Sequence, residues 1–188
     1  FTEEWNADFA YGVWATGGNM NTAHKGVEGA GTQTAALAFG GNIAPVTGRT
    51  EDYNGTTWTE TSDMSTARTQ LAGSGTGPTS ALAFGGGTPS VTAASEEFEL
   101  SISATTAGAW ASGNAASTAR NNPGSAGTKT AGMIISGSVN DTELYNGTSF
   151  SEGPDVNVHA EQHFSTGTQT AALKAGGSGG NQTEEYNG

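Results

Sequence analysis

The residues best placed to do chemistry are His159, Glu161 and His163, in the run His-Ala-Glu-Gln-His. On a strand, positions two and four apart share a face, so both imidazoles and the carboxylate would converge there as metal ligands. The order is not the helical His-Glu-x-x-His of zinc peptidases, because the Glu comes one place late and no helix is expected. The competing reading, which the sequence favours, is a polar loop entering a strand.

Acid pairs recur at Glu3-Glu4, Glu51-Asp52, Glu96-Glu97 and Glu184-Glu185, with Glu143-Leu144 in the remaining copy. General acid–base chemistry uses one unique pair at a set distance, so an equivalent pair in every copy reads as a repeated structural part. The Glu two places before each aromatic shares its face and is expected to meet Arg68 or Arg120 in a neighbouring repeat. The chain has no Cys, which excludes disulfides, thiolate metal sites and cysteine nucleophiles. No nucleophile elbow or Ser/His/Asp grouping occurs, and GGSGG at 176–180 lacks the Lys of a phosphate loop. The expectation is a protein that is not an enzyme and carries no cofactor.

Of the 188 residues 34% are hydrophobic and 30 are Gly, too little for a helical bundle but enough for thin sheets with tight turns. Six basic against eighteen acidic residues give a net charge of −12, which repels a phosphate backbone and an anionic membrane surface. Nucleic acid is therefore not an expected partner. The charge reads as solubility, with calcium or a cationic surface as remaining counter-ligands. Apolar runs as short as AALAF at 35–39 do not span a bilayer, so no membrane insertion is expected. The opening on Phe1, without an initiator Met or signal-type segment, reads as a processed product or a piece of something longer. Of the glycosylation sequons at Asn54, Asn140, Asn146 and Asn181, two coincide with Asn-Gly turns that explain them without a glycan.

These residues belong to a repeat. GTQTAALAFGG at 31–41 returns as TSALAFGG at 79–86, KTAGMIISG at 129–137 and GTQTAALKAGG at 167–177. Between the copies lies an acidic-aromatic phrase: TEEWN at 2–6, RTEDYNGTTW at 49–58, SEEF at 95–98 followed by Trp110, DTELYNGTSF at 141–150 and QTEEYNG at 182–188. A basic residue follows each Trp at a constant interval, pairing Trp14 with His24, Trp58 with Arg68 and Trp110 with Arg120, each preceded by Thr-Ala. After Phe150 the same interval reaches Ala160, so that copy has lost its basic residue.

In TAALAF, Leu37 and Phe39 fall on one face and Ala36 and Ala38 on the other, the period-two pattern of a strand inside a blade, with large residues meeting small ones across neighbouring sheets. The doublets Gly40-Gly41, Gly85-Gly86 and Gly176-Gly177 allow a turn that other residues avoid, with Ser136-Gly137 in the third copy. Asn-Gly at 54–55 and 146–147 marks a hairpin between third and fourth strands. Tyr53, Trp58, Phe98, Trp110, Tyr145, Phe150 and Tyr186 are the expected packing anchors between blades.

The combination of a basic residue, an apolar strand ending in a glycine doublet, a Tyr after Glu and a Trp shortly after resembles the kelch repeat over nearly the whole chain. The wording TEEYNG, TAR and GTQTAALAFGG is similar to Gly/Thr-rich kelch-like repeats of aquatic phages and environmental bacteria. The resemblance implies an all-β, kelch-like β-propeller of about four blades of four antiparallel strands, or a segment of a larger propeller or array. Its strands would run a, b, c, d outward from the axis, with b strands near 33–40, 79–85, 130–136 and 169–175. One face, carrying loops 41–49, 86–94, 137–141, 60–67 and 112–119, would bind. Copper oxidases on kelch propellers use Cys and Tyr ligands, which this chain cannot supply.

A single domain 1–188 is expected, with blades near 25–60, 69–112, 121–152 and 161–188. The last lacks a d strand, to be completed by an N-terminal strand within 1–16, around Trp14 or Phe1-Thr2-Glu3, or by a neighbouring chain joined head to tail. The function expected is a non-enzymatic structural or binding module, extracellular or on a virion surface, contacting protein or glycan. The alternatives are a subunit of a self-assembling extracellular filament joined by strand exchange and, third, a polysaccharide lyase or hydrolase. Any binding site is expected around Arg68, Arg120, His24 and His159, at or beside the d-to-a loops.

Overall fold

A computed structural model describes residues 2–6, 13–87, 89–100, 108–178 and 180–188. The described residues form strands and loops with no helix, hence none long and apolar enough to cross a membrane. A short N-terminal sheet pairs β1 (Glu3–Asn6) with β2 (Val13–Thr16). The first blade comprises β3 (Glu28–Thr32), β4 (Ala35–Phe39), β5 (Thr50–Tyr53) and β6 (Trp58–Glu60). The second comprises β7 (Ala72–Gly77), β8 (Ser80–Phe84), β9 (Ser95–Glu99) and β10 (Ala109–Ser112). The third comprises β11 (Gly124–Thr128), β12 (Ala131–Ile135), β13 (Thr142–Tyr145) and β14 (Phe150–Glu152). The fourth has three strands, β15 (Phe164–Thr168), β16 (Ala171–Ala175) and β17 (Thr183–Asn187). Every pairing is antiparallel and follows chain order, and the whole is a four-blade β-propeller.

The innermost strands β3, β7, β11 and β15 line a central channel, with β3 against β7, β7 against β11 and β11 against β15. Apart from Glu28 and Phe164 at their starts, they are built from Gly, Ala, Ser and Thr, because they crowd one another. A Cβ on Gly31 would lie 2.9 Å from the Cα of Gly77 in the next blade. No comparable packing joins β15 to β3 among the described residues, so a seam separates the fourth blade from the first.

The alternation expected in the b strands is observed. Leu37 and Phe39 pack against Ala81 and Ala83 of the next blade, with Met64 and Phe98, in one buried cluster. Leu82 and Phe84 meet Ile134 and Tyr145 in the next. Outer aromatics fill the wider part of each gap. Trp110 stands edge-on to Phe39 of the preceding blade at 5.1 Å and donates its indole N–H to Thr50 Oγ1 at 3.1 Å. Phe150 approaches Phe84 in the same way. The doublet Gly40-Gly41 takes φ of 70° and 103°, and its second N–H donates to Arg68 O at 2.8 Å, tying one blade to the linker of the next.

The N-terminal strands do not complete the fourth blade. β2 pairs with β1, residues 17–22 continue onto the first blade, and β17 carries no strand on its outer side among the described residues. Phe1, named as part of one closing segment, lies outside the described residues.

Candidate functional site

The repeated acids are structural anchors. Glu96, in β9, accepts hydrogen bonds from Ser65 N (2.7 Å), Ser65 Oγ (2.6 Å) and Thr66 N (3.3 Å) on the incoming linker. Arg68 completes the set with Nη2 at 3.0 Å from Glu96 and Nη1 on the carbonyls of Gly85 and Ala94. Burial pulls the Arg68 pKa down and Glu96 opposes that pull. The third blade repeats the arrangement: Glu143 receives Ser117 N, Thr118 N and Arg120 Nη2.

The acids do pair with Arg68 and Arg120, but within one blade and not with a neighbouring repeat as expected: Arg68 meets Glu96 and Arg120 meets Glu143. Arg68 is 0% exposed and Arg120 1%. Each guanidinium bonds the carboxylate and carbonyls of its own blade, so neither presents its charge to solvent.

The other two blades vary the motif. Glu51 receives Asn21 N (2.8 Å), Asn21 Nδ2 (2.9 Å) and Thr22 N (3.0 Å). His24, at the basic position, shares Nδ1 with Gly40 O at 2.8 Å, and its Nε2 is buried without a partner. In the fourth blade Glu184 receives Asn157 N, Asn157 Nδ2 and Val158 N. Ala160 offers no cation there, and Lys174 of β16 supplies one, with Nζ 3.0 Å from Glu184 and 2.7 Å from Val158 O.

The metal set does not form. Residues 159–163 are a turn ahead of β15, and Gln162 at φ 56° breaks the alternation a strand would provide. His159 is exposed, Glu161 accepts Asn122 Nδ2 at 3.1 Å, and His163 Nδ1 meets Ala160 O at 2.8 Å. Burial lowers the His163 pKa. Among the described residues no three His, Asp or Glu side chains converge.

What the fold does bring together is the mouth of the channel, a depression of about 580 Å³ where the linkers reach the inner strands. Gly26, Gln70, Asn122 and Gln162 occupy equivalent places there, all with left-handed φ between 47° and 63°. Gln70 N donates to Gly26 O, Asn122 N to Gln70 O and Gln162 N to Asn122 O, a backbone chain from blade to blade. The Gln70 and Gln162 amides are exposed and make no side-chain hydrogen bond to a described residue. Lys25, Thr69 and Asn42 complete the rim.

Below the rim, Glu28 is the one titratable side chain among the residues lining the inner channel. Burial pushes its carboxyl up to about 7, against a hydrogen bond from Gly29 N–H. A folded pKa above the unfolded 4.5 means that the native chain holds more protons, so stability falls as pH rises from 4.5 through about 7. Glu28→Gln is expected to remove that slope, making the variant more stable than the parent at about pH 8 and nearly equal at about pH 4. Thermal melts at the two pH values check this.

This row of amides was not anticipated, although its signal was available: Gln70 and Asn122 stand two places after Arg68 and Arg120, and Gln162 two after Ala160. No protein-family model matches the chain, and no curated protein matches its sequence.

Proposed function

We propose that this chain is a kelch-like β-propeller acting as a non-enzymatic binding module on a virion or cell surface, with the channel mouth taking a neutral polar ligand such as a glycan. The observation that carries the reading is the pair of uncommitted amides, Gln70 and Gln162, held over the channel by backbone in a left-handed conformation. Amides both donate and accept, which suits hydroxyl groups. Backbone fixed by blade-to-blade hydrogen bonds spares the ligand the entropy of ordering its site. Lys25 and Glu28 add one donor cation and one carboxyl whose pKa is raised to about 7.

A glycan array followed by calorimetry tests this. Gln70→Ala with Gln162→Ala is expected to weaken a bound glycan roughly 5- to 150-fold, since each hydrogen bond contributes about 0.5–1.5 kcal/mol, while melting stays unchanged. Retained affinity in the double variant would remove the mouth as the site, and turnover of a sugar polymer would replace the binding reading with a lyase or hydrolase.

A further inference from the structure

The gap between the third and fourth blades holds an aromatic socket without its aromatic. A cavity of about 190 Å³ is lined by Met133, Ile135, Thr142, Val156, Ala172 and Tyr186. By position in the repeat these are the counterparts of Leu37, Phe39, Thr50, Met64, Ala81 and Phe98, the residues around Trp110. The next gap is filled likewise by Phe150 among Leu82, Phe84, Ala116 and Tyr145. In both cases the aromatic arrives on the outermost strand of the following blade, and among the described residues no strand pairs with the outer side of β17. The cavity exceeds the ~150 Å³ that admits a benzene ring.

We infer that this socket receives Trp14, carried on β2 of a second copy of the chain. β2 pairs with β1 in the register of an outermost strand: Trp5 opposes Trp14 as Tyr53 opposes Trp58, Phe98 opposes Trp110 and Tyr145 opposes Phe150. β17 and its flank read TEEYN where β1 and its flank read TEEWN, so β2 meets an equivalent ladder on either strand. Exchange of β1 for β17 therefore conserves backbone hydrogen bonds. What changes is Trp14, 66% exposed beside β1 and enclosed in the socket beside β17.

The chain's own β2 runs through residues 17–22 onto the first blade, held there by Asn21 and Thr22 on Glu51, across an unpacked seam from the fourth. A second copy reaches β17 without moving either. The contact joins different surfaces of the two copies, so it yields a reciprocal swapped dimer or a growing chain. It is independent of what the channel mouth binds.

Light scattering across a concentration series tests the inference on the 188-residue chain. Mass is expected to rise with concentration, more steeply at high salt because copies of charge −12 repel. Trp14→Ala is expected to weaken association about tenfold or more with the monomer's melting unchanged. Ile135→Trp, which fills the socket from within, is expected to block association as well. A mass of one chain at every concentration overturns the inference, as does Trp14→Ala associating like the parent. A monomer whose Trp14 is already shielded from a quencher also overturns it, assigning the socket to the chain's own β2.

Discussion

Arg68→Ala is expected to destabilise the propeller by about 3–5 kcal/mol, the usual cost of removing one partner from a buried ion pair. The side chains of Arg68 and Glu96 are 0% and 3% exposed, so the carboxylate left behind cannot recover its hydration. Gly85 O and Ala94 O lose a charged donor at the same time. For a chain of this size the loss corresponds to a fall of about 6–20 °C in Tm. Arg49 provides the contrast: its pair with Glu60 has side chains 41% and 54% exposed, where solvent screens the attraction. Arg49→Ala is therefore expected to cost about 1 kcal/mol or less. Thermal melts of the two variants decide the matter, and an Arg68→Ala melt within about 2 °C of the parent would show that Glu96 is satisfied by Ser65 and Thr66 alone. Added salt should not narrow the gap, because ions do not reach the pair.

Where the sequence was legible, the reason was a period that packing enforces. Leu37, Phe39, Leu82 and Phe84 alternate with Ala because each b strand presents large residues to one neighbour and small ones to the other. Trp110 and Phe150 recur because the gap between blades widens away from the axis. The inner strands carry no such pattern. After the leading Glu28 and Phe164, EGAGT, AGSGT, GSAGT and FSTGT are dictated by close approach, a constraint that leaves small residues as its trace.

The site was less legible because residue type does not reveal burial. Arg68 and Arg120, at the ends of loops, have the composition of a surface patch, yet their partners arrive from a strand more than twenty positions on and enclose them. The reading of His159, Glu161 and His163 as one face required a strand, and the chain turns there instead. Gln70, Asn122 and Gln162 draw their importance from backbone φ, which Gln and Asn do not advertise as Gly does.

Two irregularities of the fourth repeat, each unexplained alone, account for one another. Ala160 has lost the basic residue of its position, and Lys174 intrudes in a strand whose counterparts Ala38, Ala83 and Ile134 are apolar. Both concern the cation beside Glu184, delivered from the linker in two blades and from β16 in this one. Lys174→Ala is therefore expected to cost about 2–3 kcal/mol, below the Arg68 figure because Glu184 keeps its bonds from Asn157 and Val158 and some contact with water. The acid limb reports the same loss. Burial raises the Glu184 pKa, but hydrogen bonds from Asn157, Lys174 and Val158 outweigh it and bring the carboxyl to about 2. This stabilisation is complete above the unfolded 4.5 and fades as pH falls toward 2, a slope that Lys174→Ala should flatten. Ala160→Arg then distinguishes compensation from coincidence. In the parent it forces a second cation and extra volume into a filled site and should destabilise. In the Lys174→Ala background it finds an unpaired carboxylate, with the carbonyls of Gly176 and Gln182 standing where Gly85 and Ala94 meet Arg68, and should recover stability. A double-mutant cycle by thermal melting measures that change of sign. If Ala160→Arg lowers Tm equally in both backgrounds, Lys174 does not stand in for the missing arginine.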